Sequence, residues 1–181
     1  NDYWDNMRER SSTLLNANKR SFVVENARLF TSNRCLAVWG FCSSVGFLGE
    51  AHDPKAAGKF IGLSPKQILD LIKSKINKYG AKAFSINDDD FLVGNNLGIN
   101  RALELCDLII EAKKNGDIPK DIKFSCQTRV GNFIKRGGDI NHDLMDSLYN
   151  AGFHNVSLGV ETFSERLMQV PSINKIGISA D

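Results

Sequence analysis

Four times along this chain a short apolar run gives way to a polar loop, then to a helical pattern, then to another apolar run. The apolar runs are Ala27–Thr31, Ala83–Asn87, Ile122–Thr128 and Asn155–Leu158. Between them, Ser64-Pro65-Lys66-Gln67 reads as a helix start, with Ser as N-cap, Pro at the first helical position and Gln closing a capping box. That helix ends near Tyr79-Gly80. A second covers about Asn100–Lys114, and a third, capped by Asn141, runs through Leu144 and Leu148 to Ala151-Gly152. Ser164 is placed to cap a last short helix. Strands alternating with helices at this spacing predict an α/β fold with a parallel sheet and four βα units.

Right-handed crossovers put the C-terminal ends of all such strands on one edge. The chain's polar clusters fall there. Cys35 and Cys42 follow the first strand, Asp88, Asp89 and Asp90 the second, Arg129 the third and Glu161 the fourth. In parallel α/β folds that edge is where ligands bind and chemistry occurs, so these residues are the candidate site.

Composition bounds what the site can serve. The 181 residues are enough for one domain with a sizeable core. Residues 1–20 are polar and weakly periodic and read as a linker or lead-in segment, leaving 21–181 as the core domain. A formal charge of +2 and no basic block give no pointer to nucleic acid. No apolar stretch reaches the roughly 18 residues of a membrane span, and the start has no signal-peptide pattern. Four scattered cysteines do not form a disulfide framework, so a reducing cytoplasm is the expected compartment. Cys106, within an amphipathic pattern, is expected to be a small buried hydrophobe. The absence of an initiator methionine suggests a fragment of a longer protein.

Each cluster has an ordinary alternative. Two cysteines seven residues apart can be plain packed or surface thiols, although thiolates are the usual ligands of iron–sulfur clusters. Asp88–Asp90 can be a solvated acidic turn, Glu161 a helix-capping acid before Ser164, and Arg129 half of a structural ion pair. The three histidines show no ligand spacing.

Several segments taken in order resemble one superfamily. They are Thr31-Ser-Asn-Arg-Cys35 with Cys42 beyond, Ser64-Pro65 to Tyr79-Gly80, Asp88-Asp-Asp-Phe91, Thr128-Arg-Val130, Ala151-Gly-Phe153 and Val156-Ser-Leu-Gly-Val-Glu-Thr162. The chain is similar over about residues 27 to 175 to radical S-adenosylmethionine (SAM) enzymes, in the branch often fused to a cobalamin-binding domain. The resemblance implies a partial TIM-like (β/α)6 barrel, a [4Fe–4S] cluster, S-adenosylmethionine as cofactor and cobalamin as a further one. It also implies reductive cleavage of S-adenosylmethionine to a 5′-deoxyadenosyl radical, with an electron donor such as flavodoxin or ferredoxin and a small-molecule or peptide substrate. By position, Cys35 and Cys42 match cluster ligands and Phe41 matches a residue packing near the adenine. Asp88–Asp90 lie where the methionyl amino group is met, Glu161 near the ribose or methionyl part, and Arg129 within reach of the cofactor carboxylate.

The family loop is Cys-x3-Cys-x2-Cys, and its middle position here is Trp39. An indole N–H donates a hydrogen bond but offers no lone pair to iron. Three explanations stay open: a changed or misread codon, a degenerate member without its cluster, or another ligand, for which Cys126 is a candidate. The alternative function is accordingly a cluster-free barrel fragment that binds a nucleoside-like ligand or a partner protein. A third reading is an unrelated α/β enzyme using the acidic edge for a divalent metal.

Overall fold

A computed structural model describes residues 26–35, 42, 60–93, 96–135 and 137–170. Trp39, Phe41, Arg136, the lead-in segment 1–20 and the C-terminal residues 171–181 lie outside the described residues.

The helices form where local chemistry specifies them. Helix α1, Pro65–Tyr79, opens with the expected capping box: Ser64 Oγ accepts from Gln67 N at 3.3 Å and Gln67 Oε1 accepts from Ser64 N at 2.9 Å. It closes on Gly80 in the left-handed region at φ 65°, whose N–H donates to Ile76 O. Helix α2 spans Asn96–Asn115 and α3 spans His142–Ala151, with Asn141 as N-cap and Gly152, at φ 103°, as C-cap. A short helix α4, Glu165–Met168, follows. Ser164 stands at its N-cap position, but its side chain makes no cap bond, and its N–H donates to Thr162 Oγ1 at 3.0 Å instead.

Strands β1 (Asn26–Leu29), β2 (Ala83–Ile86), β3 (Lys123–Arg129) and β4 (Phe153–Gly159) pair in that spatial order, all parallel. Each new strand adds on the same side of the last, so the sheet is singly wound. Right-handed crossovers then place α1, α2 and α3 on one face. That face is the core: Leu29, Phe84, Ile86, Phe124 and Phe153 from the strands meet Ile68, Ile72, Leu105, Ile109, Leu144 and Leu148 from the helices, all buried. Three rings run across it, with Phe84–Phe124 centroids 5.8 Å and Phe124–Phe153 centroids 5.3 Å apart. Cys106 is wholly buried, as its amphipathic setting predicts.

Strand β1 ends at Leu29, two residues before the expected Thr31, and two further boundaries differ for local reasons. Helix α2 begins four residues before Asn100, through Gly98, which the turn requires: a Cβ there would fall 2.2 Å from Leu92 O. Strand β4 begins at Phe153 because Gly152 turns the chain directly from helix cap into strand. No described helix is long and apolar enough to cross a membrane.

Candidate functional site

The sequence leads β1 into Thr31-Ser32, two residues with both a backbone and a side-chain donor. All four donors reach one carboxylate. Asp88, just past β2, accepts from Thr31 N and Thr31 Oγ1 at 2.5 Å each, from Ser32 N at 3.1 Å and from Ser32 Oγ at 2.8 Å. A carboxylate has about four lone-pair sites, so Asp88 is saturated within the protein, and it is 1% exposed. Thr31 Oγ1 in turn accepts from Arg101 Nη2 at 2.6 Å, and the same nitrogen lies 3.6 Å from Asp88 Oδ2. Burial lowers the Arg101 pKa from its usual value, with Asp88 opposing that shift.

Asp90 performs the same task one strand over. Wholly buried, it accepts from Thr128 Oγ1 at 2.6 Å, Arg129 Nε at 2.7 Å and Asn132 Nδ2 at 2.9 Å. Cys35 Sγ lies 4.0 Å from Asp90 Oδ2. The two carboxylates therefore tie the ends of β1, β2 and β3 together through charge-assisted hydrogen bonds. The solvated acidic turn considered from sequence does not form at Asp88 or Asp90; of the three acids only Asp89 is exposed. Arg129 forms an ion pair, and its partner is Asp90.

Strand β4 ends differently. Glu161 sits at φ 61°, in the left-handed region that few non-glycine residues adopt. Its carboxylate folds back over Gly159, where an added Cβ would come 2.8 Å from Glu161 Oε1. Gly159 is the register partner of Arg129, which brings the β4 end alongside the Asp90 knot. Strain of this kind recurs at binding and catalytic sites.

The structure thus brings Cys35, Asp88, Asp90 and Arg129 together, places Asp89 exposed beside them, and sets Glu161 at the neighbouring strand end. Cys42 is half-buried; Phe41 and Trp39 lie outside the described residues. Cys126 faces the core, and burial, with Cys106, Asp88 and Asp90 nearby, pushes its thiol up to about 12. A thiol held protonated at neutral pH is a poor replacement for a cluster ligand. Among the described residues no group of three or more His, Cys, Asp or Glu is arranged to hold a metal ion.

Below this edge, the sheet face away from the helices carries a cavity of about 270 Å³ lined by Phe30, Ser85, Asn87, Ser125, Gln127 and Ser157. Ser125 Oγ donates to Ser85 Oγ at 3.0 Å across it. Sequence reasoning did not single out Asn132, Arg101 or this polar face. The face is legible as period-two alternation in Lys123-Phe-Ser-Cys-Gln-Thr-Arg129; nothing local marks Arg101, whose acceptor Thr31 is 70 residues away, and Asn132, although also bonded to nearby Thr128, meets Asp90 42 residues away.

Among solved structures the chain resembles the radical S-adenosylmethionine methyltransferase TsrM from Kitasatospora setae, determined with cobalamin and a [4Fe–4S] cluster bound. The TM-score is 0.57 at 18% identity, over 80% of this chain and 24% of that one. The likeness is one of fold, and the chain spans about a quarter of that neighbour. No family model and no curated protein matches the chain.

Proposed function

We propose that residues 21–181 form the first four βα units of a radical S-adenosylmethionine core, part of a (β/α)6 barrel, with 1–20 as its lead-in. The observation that carries this reading is the knot of Thr31-Ser32, Asp88, Asp90 and Thr128-Arg129, which fixes the base of the cysteine loop at the sheet edge where the polar clusters gather. The fold shared with TsrM supports it.

Under this reading the reaction is reductive cleavage of S-adenosylmethionine followed by radical transfer to a small-molecule or peptide substrate, with a flavodoxin or ferredoxin as reductant in the cytoplasm. A cobalamin-assisted methyl transfer or rearrangement extends it where a cobalamin domain accompanies the core. Asp88 and Asp90 are committed to protein donors. Contact with the methionyl ammonium therefore falls to Asp89, with Glu161 serving the ribose side and Phe41 the adenine. Arg129, whose Nε binds Asp90 and whose side chain is 25% exposed, stands on the side of the cofactor carboxylate.

The donor set as it stands does not fit the [4Fe–4S] group. Cys35 and Cys42 supply two thiolates, and Trp39 supplies none. That mismatch favours the second reading, a cluster-free fragment that binds a nucleoside-like ligand or a protein. One experiment separates them. The chain and its Trp39→Cys form are reconstituted anaerobically with iron and sulfide, then reduced in the presence of S-adenosylmethionine. Cluster absorbance and 5′-deoxyadenosine from Trp39→Cys alone are the expected result. If neither develops in Trp39→Cys, the enzyme reading is wrong.

A further inference from the structure

The edge that holds the knot has a second side, facing the helices. Residues 61–63 run antiparallel to 31–33, with Asn33 N donating to Ile61 O at 3.0 Å and Leu63 N to Thr31 O at 2.8 Å. This brings Phe60 and Gly62 over Arg101. Between them and the first turns of α1 and α2 lies a cavity of about 490 Å³, within the range of small-ligand sites. Its walls include Phe60, Gly62, Leu63, Val93, Leu97 and Gly98.

Two independent features there favour an anion. The Arg101 side chain is 10% exposed, and its Nη1 is buried without a hydrogen-bond partner among the described residues. Nη1 lies against Gly62, where an added Cβ would fall 2.9 Å from it. The guanidinium is also flanked by the Phe60 and Phe91 rings, each centroid 5.8 Å away. Second, helices of 15 and 20 residues both start at this cavity, and neither has an acidic residue in its first turn. Natural helices favour an anion at that end.

We propose that this cavity binds a singly charged oxyanion, a carboxylate or a phosphoryl group, with Arg101 Nη1 and the α1 and α2 N-termini as its positive wall. Charge accounting supports one negative charge. Arg101 and Asp88 cancel at 3.6 Å, while each helix N-terminus contributes roughly half a positive charge. Glu104, the acidic residue of the lining, is exposed and screened by water. The apolar walls suit a ligand whose oxyanion is carried on an apolar body. This site requires neither a cluster nor a cysteine at position 39, so its failure and that of the enzyme reading are separate events.

The full chain, labelled with ¹⁵N, is titrated with sodium benzoate and separately with inorganic phosphate, following the amides of Gly62, Leu97 and Gly98. Saturable shifts at these amides are expected from at least one anion. Benzoate alone identifies a carboxylate site, phosphate alone a phosphoryl site, and either supports the proposal. Arg101→Gln should weaken binding at least about tenfold. Because Arg101 also holds Thr31, that variant can unfold. Leu97→Glu, at a position 71% exposed, places a carboxylate in the first turn of α2 and should compete binding away without disturbing the core. Absence of saturable shifts with both anions overturns the proposal, as does binding that survives Leu97→Glu or a folded Arg101→Gln.

Discussion

The two faces of this sheet are built from the same strands, one residue out of step, and they have opposite characters. On the helix side stand Ala27, Leu29, Phe84, Ile86, Phe124 and Cys126, all buried. On the other stand Arg28, Ser85, Asn87, Ser125, Gln127, Asn155 and Ser157, none of them buried. A packed barrel interior is filled with Val, Ile and Leu, and a doubly covered parallel sheet reads as apolar on both sides. This sheet does neither. The apolar face supplies stability, the polar face is left to contact something else, and the buried carboxylates sit at the edge where the faces meet.

The largest way to break that division is to attack the edge. Asp88→Ala strips four donors of their acceptor and leaves the Arg101 guanidinium buried without its counter-ion. Removing one partner of a buried charge network costs about 3–5 kcal/mol. Chemical denaturation should show a loss of that size, and the Asp88→Ala/Arg101→Met pair should recover part of it. Equal losses in the single and double variants would show that Asp88 does not act through Arg101.

Phe124→Ala tests the apolar face. The ring is fully buried between Phe84 and Phe153, and deleting such a side chain costs about 3–5 kcal/mol through lost transfer energy and the cavity left behind. A loss below about 1 kcal/mol would mean that the face is not a packed core.

Alkaline pH probes the same face more gently. Burial raises both Cys106 and Cys126 from the usual 9.0 to about 12. An unfolded chain releases these protons near 9 and the folded chain does not, so their contribution is complete below pH 9 and declines as pH climbs toward 12. The decline is at most about 1.4 kcal/mol per pH unit per thiol. Lys113, lowered by burial while Asp121 opposes, acts in the reverse sense. Comparison with Cys106→Ala/Cys126→Ala, which retains Lys113, isolates the thiols: the variant should lose less stability than the parent between pH 8 and 10. Parallel curves would contradict buried, protonated sulfur.

How much of this was legible beforehand follows from the range of the interactions. Helix α1 was readable because its cap is local, with Ser64 and Gln67 three residues apart. The parallel sheet and the shared edge followed from alternation and handedness. The fate of Asp88 and Asp90 was not, because their hydrogen-bond donors lie 38 to 57 residues away in sequence, and an Asp-Asp-Asp run looks solvent-exposed to any local rule. Helix α2 starts ahead of the expected Asn100 because Gly98 admits the Leu92–Val93 turn, a close approach that no local pattern shows. The cysteine loop stands as a sequence inference, since Trp39 and Phe41 lie outside the described residues.

Glu161→Gly addresses the strand end that lacks a buried carboxylate. A non-glycine residue at φ 61° carries a left-handed cost of about 1 kcal/mol, so the variant should gain roughly that in denaturation while losing any ligand contact that Glu161 makes. A loss of stability instead would show that the carboxylate folded over Gly159 outweighs the backbone strain.

The smallest expected effect is the most informative about the polar face. Gln127→Ala removes an exposed amide that lines the 270 Å³ cavity, and Ser157→Ala removes a hydroxyl beside it. Substitutions outside a core or a buried network stay within about 0.5 kcal/mol, so both variants should unfold with the parent. A surface that tolerates these changes while losing affinity for a bound ligand has been kept polar for recognition. If Gln127→Ala instead destabilised the fold by more than about 1 kcal/mol, the face would be an interior in its own right, and the contrast between the two sides of the sheet would be one of chemistry without a division of labour.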